Sequence, residues 1–116
     1  MAVTDADVVA VRVFPVLRRL LGLRESGGWF FQPLFSDSRL LVVAGARLWP
    51  GGWSDAIAIR TETDAKGLRC DPVGGVVWNR EGGVADVLDG LLELPAPHEP
   101  NAPRLVTAHA PRLWVP

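Results

Sequence analysis

The sequence predicts an α+β fold: an antiparallel meander sheet of four to five strands, an N-terminal and a C-terminal helix packed on one of its faces, and an extended proline-rich C-terminal arm. Three observations predict it. Short runs of β-branched, aliphatic and aromatic residues recur between residues 29 and 78, separated by clusters of Gly, Pro, Asp and Ser. Two segments with apolar residues at helical spacing bracket those runs, the order expected of helices layered on an antiparallel sheet. Beyond Leu94 the composition changes, with six of the ten prolines and no glycine. Residues 1–94 therefore read as one α+β domain. Residues 95–116 read as an arm that packs on that domain or on a partner.

The first element is a helix beginning near Thr4, where Thr4 and Asp7 fit a capping box. Val9, Val13, Val16, Leu17, Leu20 and Leu21 make its apolar stripe, and Gly22 is its stop. Asp5 and Asp7 suit the positive end of the helix dipole, and Arg18, Arg19 and Arg24 the negative end. Pro15 breaks or kinks this helix, or opens a second one from its first turn. The β-branched stretch Val8 to Val13 leaves a short strand as the competing reading.

The meander follows. Trp29 to Phe35 is a strand placed at an edge by Pro33, and Ser36–Asp37–Ser38 is the turn after it. Arg39 to Trp49 contains the nearly continuous run Leu40–Val43, which predicts a central strand buried on both faces. Pro50, Gly51 and Gly52 form a turn before a third strand, Ala56 to Glu62. Asp64–Ala65–Lys66–Gly67 reads as a type I turn with glycine in the left-handed position. Leu68 to Asp71 and Val76 to Trp78 are the fourth and fifth strands, joined through Pro72–Gly75. A helix over residues 83–94 closes the domain. Val84, Val87, Leu88, Leu91 and Leu92 line one side of it, and Asp86, Asp89 and Glu93 the other. Gly90 costs this helix about 1 kcal/mol relative to alanine, and a close approach to the sheet is the compensating reason for it.

The arm carries the internal echo Ala102–Leu105 and Ala110–Leu113, each reading Ala-Pro-Arg-Leu. Its prolines favour an extended, polyproline-like course. Leu105, Val106, Leu113, Trp114 and Val115 make it apolar enough to need a surface to lie on.

The 116 residues are 48% hydrophobic and 22% charged, with net charge −1. That length and balance suit one globular core. Twelve basic and thirteen acidic residues create no field for nucleic acid or an anionic membrane. Lys66 is the only lysine, and the many arginines fit the codon usage of a GC-rich bacterial genome. Cys70 is the only cysteine, so no intrachain disulfide forms, and the acidic N-terminus is unlike a signal peptide. The expected compartment is the cytoplasm.

No catalytic set emerges. Cys70 would need a base, and His98 and His109 both lie in the arm. Those three residues lack the paired spacings of a zinc site, and Asp86, Asp89 and Glu93 read as a solvated helix face. The pairs Gly27–Gly28, Gly51–Gly52, Gly74–Gly75 and Gly82–Gly83 fall at turns and match no phosphate-binding pattern. No cofactor and no metal is expected.

Tryptophan is the unusual residue: Trp29, Trp49, Trp53, Trp78 and Trp114. Trp49 and Trp53 flank one turn, and Arg47 shares a strand side with Trp49. Tryptophan and arginine dominate interface hot spots. Arg47, Trp49 and Trp53, with Arg104, Leu105, Arg112, Leu113 and Trp114 of the arm, are therefore the candidate protein-interaction residues. The expectation is a small non-catalytic protein-binding module: an adaptor, a regulatory subunit or a chaperone-like protein. Its partner would be another protein or a second copy of itself. The alternatives are an immunity or antitoxin-type protein neutralising an enzyme, and a ligand binder or enzyme with a pocket of Cys70, Trp78 and Arg60.

Overall fold

The computed structural model describes residues 5–21 and 28–110. The Thr4 cap, the Gly22 stop, Arg24, Gly27, and the arm residues Arg112, Leu113, Trp114 and Val115 lie outside the described residues.

The N-terminal segment is helical in two pieces: α1 (Asp5–Val13), a 3-10 turn over Pro15–Leu17, and the single turn α2 (Arg18–Leu21). Pro15 sits in the first turn after a non-helical Phe14 (φ −128°, ψ 85°), so its missing N–H costs no helical hydrogen bond. Val8 to Val13 is helix rather than strand. Asp7 is not a solvated helix-end charge. It is buried, and its Oδ1 accepts the Phe31 backbone N–H at 2.9 Å, tying α1 to the first strand.

Six strands make one antiparallel sheet in sequence order: β1 (Phe30–Ser36), β2 (Arg39–Leu48), β3 (Ser54–Thr61), β4 (Asp64–Cys70), β5 (Gly75–Gly82) and β6 (Ala108–His109). The helix α3 (Val84–Glu93) follows β5. Pro33 lies on the edge strand β1, opposite Val43. The β1–β2 loop is two residues, Asp37 and Ser38, with φ 51° and 63°. Both are left-handed, the twist a tight hairpin requires, and the short side chain of Asp tolerates it.

Three expectations are corrected. The turn at Asp64–Gly67 is instead at Glu62 and Thr63, and β4 already runs from Asp64. Gly67 is a strand residue, kept small because a Cβ there would meet Val87 Cγ1 at 2.8 Å and Trp78 Cζ3 at 3.3 Å. Secondly, β2 is not buried on both faces. From Val42 it alternates, with Val43, Gly45 and Arg47 buried while Val42, Ala44 and Ala46 are only partly so and Leu48 is exposed. Thirdly, the strands among the described residues number six. The arm supplies the sixth, because residues 104–110 contain no proline and retain their amides. Thr107 N–H donates to Val76 O (2.8 Å) and Ala110 N–H to Gly74 O (2.9 Å), filling an otherwise bare sheet edge.

The core lies between the sheet and the helices. Phe31, Val43, Ile57, Ile59 and Ala65 face Ala10, Phe14 and Leu17 from the N-terminal segment and Val84, Val87, Leu88 and Leu91 from α3. Asp86, Asp89 and Glu93 are exposed. Asp89 Oδ1 takes Arg19 Nη2 at 2.8 Å, linking the two helical segments at the surface. Gly90 does admit the sheet: a Cβ there would stand 2.8 Å from Trp78 Cζ2 and from Arg80 Nη1.

Candidate functional site

Successive strand residues point to opposite sides of a sheet, so the register sorts the polar residues by face. On the helix-covered face, Arg47 is paired with Asp55, Asp55 with Arg69, and Arg69 with Trp78. This row crosses one end of the covered face. Arg69 and Asp55 are 0% and 1% exposed, and they meet through Nε–Oδ1 (2.6 Å) and Nη2–Oδ2 (3.0 Å). Arg69 Nη1 donates to the Pro95 carbonyl, where the chain leaves α3. Trp49 Nε1 donates to Asp55 Oδ2 at 2.9 Å. A buried ion pair survives desolvation only when its remaining hydrogen-bonding capacity is used, and here it is.

Arg47 is buried, with its guanidinium 4.6 Å from the Trp49 ring centroid and 5.9 Å from that of Trp29. Burial holds its pKa below the ordinary arginine value, opposed by the Asp55 carboxylate and reinforced by Arg69. Arg69 also lies over Trp49, 5.6 Å from its centroid. Arg47 and Trp49 thus share a side of the strand, and that side is the covered one. Trp49 and Trp53 are half-buried, and Trp49 N–H donates to Trp53 O at 2.8 Å to close their loop. Arg104 and Leu105 are exposed, with Arg104 Nη2 on the Glu99 carbonyl at 3.1 Å. The Asp55–Arg69 pair was not foreseen from sequence, because the misplaced turn would set Asp55 opposite a residue well beyond Arg69.

Among the described residues, no helix packs on the opposite face of the sheet. Ala44 and Ala46 of β2 lie beside Ala58 and Ala56 of β3. Ala46 and Val42 have Phe30 and Leu34 of β1 across from them, and Ala56 has Leu68 of β4. The result is a strip of small residues two strands wide, with Gln32 across from Ala44 and Lys66 across from Ala58 among the larger apolar neighbours, and with Ala56 buried. Phe30, Leu34 and Leu48 on this face are 42%, 45% and 49% exposed. Toward β5 it continues into the buried patch Leu68, Cys70 and Val76, against which Ala110 packs.

At the Trp49–Trp53 end, the β2–β3 and β4–β5 loops lie together. A Cβ on Gly52 would sit 3.1 Å from Pro72 Cβ. Between the loops is a half-open, mostly apolar cavity of about 280 Å³, walled by Leu48, Trp53, Ser54, Cys70, Asp71 and Gly74 among others. Neither Trp78 nor Arg60 lines it. Trp78 belongs to the covered face, and Arg60 is exposed near the far end of β3. Burial pushes the Cys70 thiol up, and Asp71 and Asp55 push it further, which works against thiolate chemistry. Among the described residues, no cluster of His, Cys, Asp and Glu is arranged to hold a metal ion, and no helix is long and apolar enough to cross a membrane.

These features define a class: a one-sided α+β meander with a polar network on its covered face and, on the other, alanines and exposed Phe30 and Leu34 beside Gln32, Lys66 and Glu81. No protein-family model, curated protein or solved structure matches the chain.

Proposed function

We propose that this chain is a small non-catalytic protein-binding module that receives an apolar helix of a partner protein across its open sheet face. The partly exposed alanines Ala44, Ala46 and Ala58, beside the exposed Phe30 and Leu34 and the buried Ala56 and Leu68, are the observation that carries this reading. Two strands at about 4.8 Å spacing make a strip as wide as a helix, about 10 Å across. Small side chains along that strip let a helix axis come close, and the larger residues at its borders grip the flanks. Apolar residues grouped on a face without a covering layer favour association. The completed Asp55–Arg69–Trp49 network supports the same reading, because it leaves that cluster a structural role.

The test compares paired pull-downs from the native host. Wild type is expected to retain a stoichiometric partner that Ala46→Arg and Ala58→Glu lose, while Asp86→Arg on the exposed side of α3 keeps it. Equal capture by all four proteins would remove the open face from consideration.

A further inference from the structure

The cavity between the β2–β3 and β4–β5 loops differs chemically from the alanine strip. Three of its lining residues form one cross-strand row, with Ser54 paired to Leu48 on one side and to Cys70 on the other. Both loops are fixed by their own hydrogen bonds. In the first, Trp49 N–H donates to Trp53 O at 2.8 Å. In the second, Asp71 N–H donates to Gly75 O at 2.8 Å, while Asp71 Oδ1 accepts the Val73 and Gly75 amides at 3.0 and 2.8 Å. Walls held in this way form the cavity before anything binds.

Ser54 is the unusual member. It is only 5% exposed, and its hydroxyl makes no hydrogen bond among the described residues. The same residues contain no fully sealed side-chain polar atom without a partner. The Ser54 hydroxyl therefore opens onto the cavity that Ser54 lines. A polar group so nearly hidden from water is under-satisfied until something hydrogen-bonds to it. Around it the lining is mostly apolar, with Leu48, Trp53, Cys70 and Pro72. Burial, then the charges of Asp71 and Asp55, hold the Cys70 thiol neutral, and the same negative field disfavours an anionic occupant.

We infer that this cavity binds a small uncharged aromatic molecule whose N–H or O–H donates to the Ser54 hydroxyl oxygen. Its volume of about 280 Å³ lies near the lower limit of about 300 Å³ for small-molecule sites, which suits one or two rings rather than a nucleotide. Removing a ring from water against Trp53, Leu48 and Pro72 supplies the affinity, and the single hydroxyl supplies the orientation. The site does not rest on the partner-helix reading, because none of the strip alanines lines it, and either can fail without the other.

Indole and N-methylindole are the probes, alike except for the N–H. Calorimetric titration of the full-length wild type with indole is expected to give saturable binding in the micromolar to millimolar range. Alkylation of Cys70 should slow in step with occupancy, since Cys70 is a wall of the site. N-methylindole should bind roughly three- to tenfold more weakly, the worth of one neutral hydrogen bond. In Ser54→Ala that preference should vanish while the affinity for N-methylindole is kept. Ala46→Arg on the strip should bind indole as wild type does. No saturable protection of Cys70 at millimolar indole would overturn the inference. So would a preference for indole that is absent from wild type, or one that survives in Ser54→Ala and so reflects only the bulk of the methyl group.

Discussion

The two faces of the sheet come from the same strands, one residue out of step, and they are built differently. The covered face combines large apolar residues with glycines wherever another side chain crosses: Gly45 beneath Phe31, and Gly67 beneath Val87 and Trp78. It also carries the Asp55–Arg69 ion pair, with Trp49 and the Pro95 carbonyl completing the hydrogen bonds. The open face has alanines at its centre and no buried ion pair among the described residues. A face that receives a helix layer must match that layer atom by atom, and any charge sealed beneath it needs every partner in place. A face without a layer meets neither demand, so its residues reflect what it presents rather than what it seals.

Breaking the covered face should therefore cost far more than altering the open one. Asp55→Ala leaves Arg69 buried without its carboxylate and should lower unfolding free energy by about 3–5 kcal/mol in urea titration. The double change Asp55→Leu with Arg69→Met should recover part of that loss, since the Arg69 charge goes with its partner while buried Arg47 still loses the Asp55 carboxylate. Gly67→Ala drives a methyl into Val87 and should cost about 1–3 kcal/mol by overpacking. Gly90→Ala is a sharper case. Helix propensity alone predicts a gain of about 1 kcal/mol, but contact with Trp78 and Arg80 should turn that into a net loss of thermal stability. At the small end, Ala46→Arg on the open face should leave stability within about 0.5 kcal/mol of wild type. A loss comparable to that of Asp55→Ala would mean that the open face is covered within this chain.

Cys70 sits where the open face meets the cavity, and its ionisation probes that boundary. Its thiol is raised by burial and then by Asp71 and Asp55, so thiolate is scarcer at any given pH than in the unfolded chain. Alkylation should be slow in the native protein, should accelerate only at more alkaline pH than for a free cysteine, and should become ordinary in urea. The sign of the linkage follows. The folded value exceeds the unfolded one of about 8.5, so the thiol's contribution is fully present below that pH and is lost as pH rises through the folded value. Stability measured against Cys70→Ala should therefore decline only on the alkaline side.

Much of the fold was legible because it is written locally. The apolar spacing of Val84, Val87, Leu88 and Leu91 marks α3, Pro33 marks the edge strand, and Pro15 sits where a helix tolerates it. The shared orientation of Arg47 and Trp49 was legible too, from the two-residue period of a strand. Which face they share was not, because alternation carries no sign. The Asp55–Arg69 pair failed for a different reason. Placing the turn at Asp64–Gly67, on the strength of Asp and Gly, shifts every partner across the β3–β4 hairpin, and a glycine needed for packing resembles a glycine needed for turning. The prolines of the arm favour a polyproline-like course, and they mask the proline-free stretch of residues 104–110 that contains β6.

The sequence by itself determined the succession of helix, strands, helix and arm and the apolar side of α3, but not that of α1, whose buried residues are Asp7 and Ala10 while Val13, placed in its expected stripe, is 39% exposed. Only the tertiary structure decided that Arg47 and Trp49 share the covered side of the sheet, that Arg69 meets Asp55, and that the arm to Ala110 lies along β5. The physical reason is range. Periodicity and turn chemistry act over a few residues, whereas register and layering are settled between segments far apart in the chain, where small shifts in one hairpin change every contact across it.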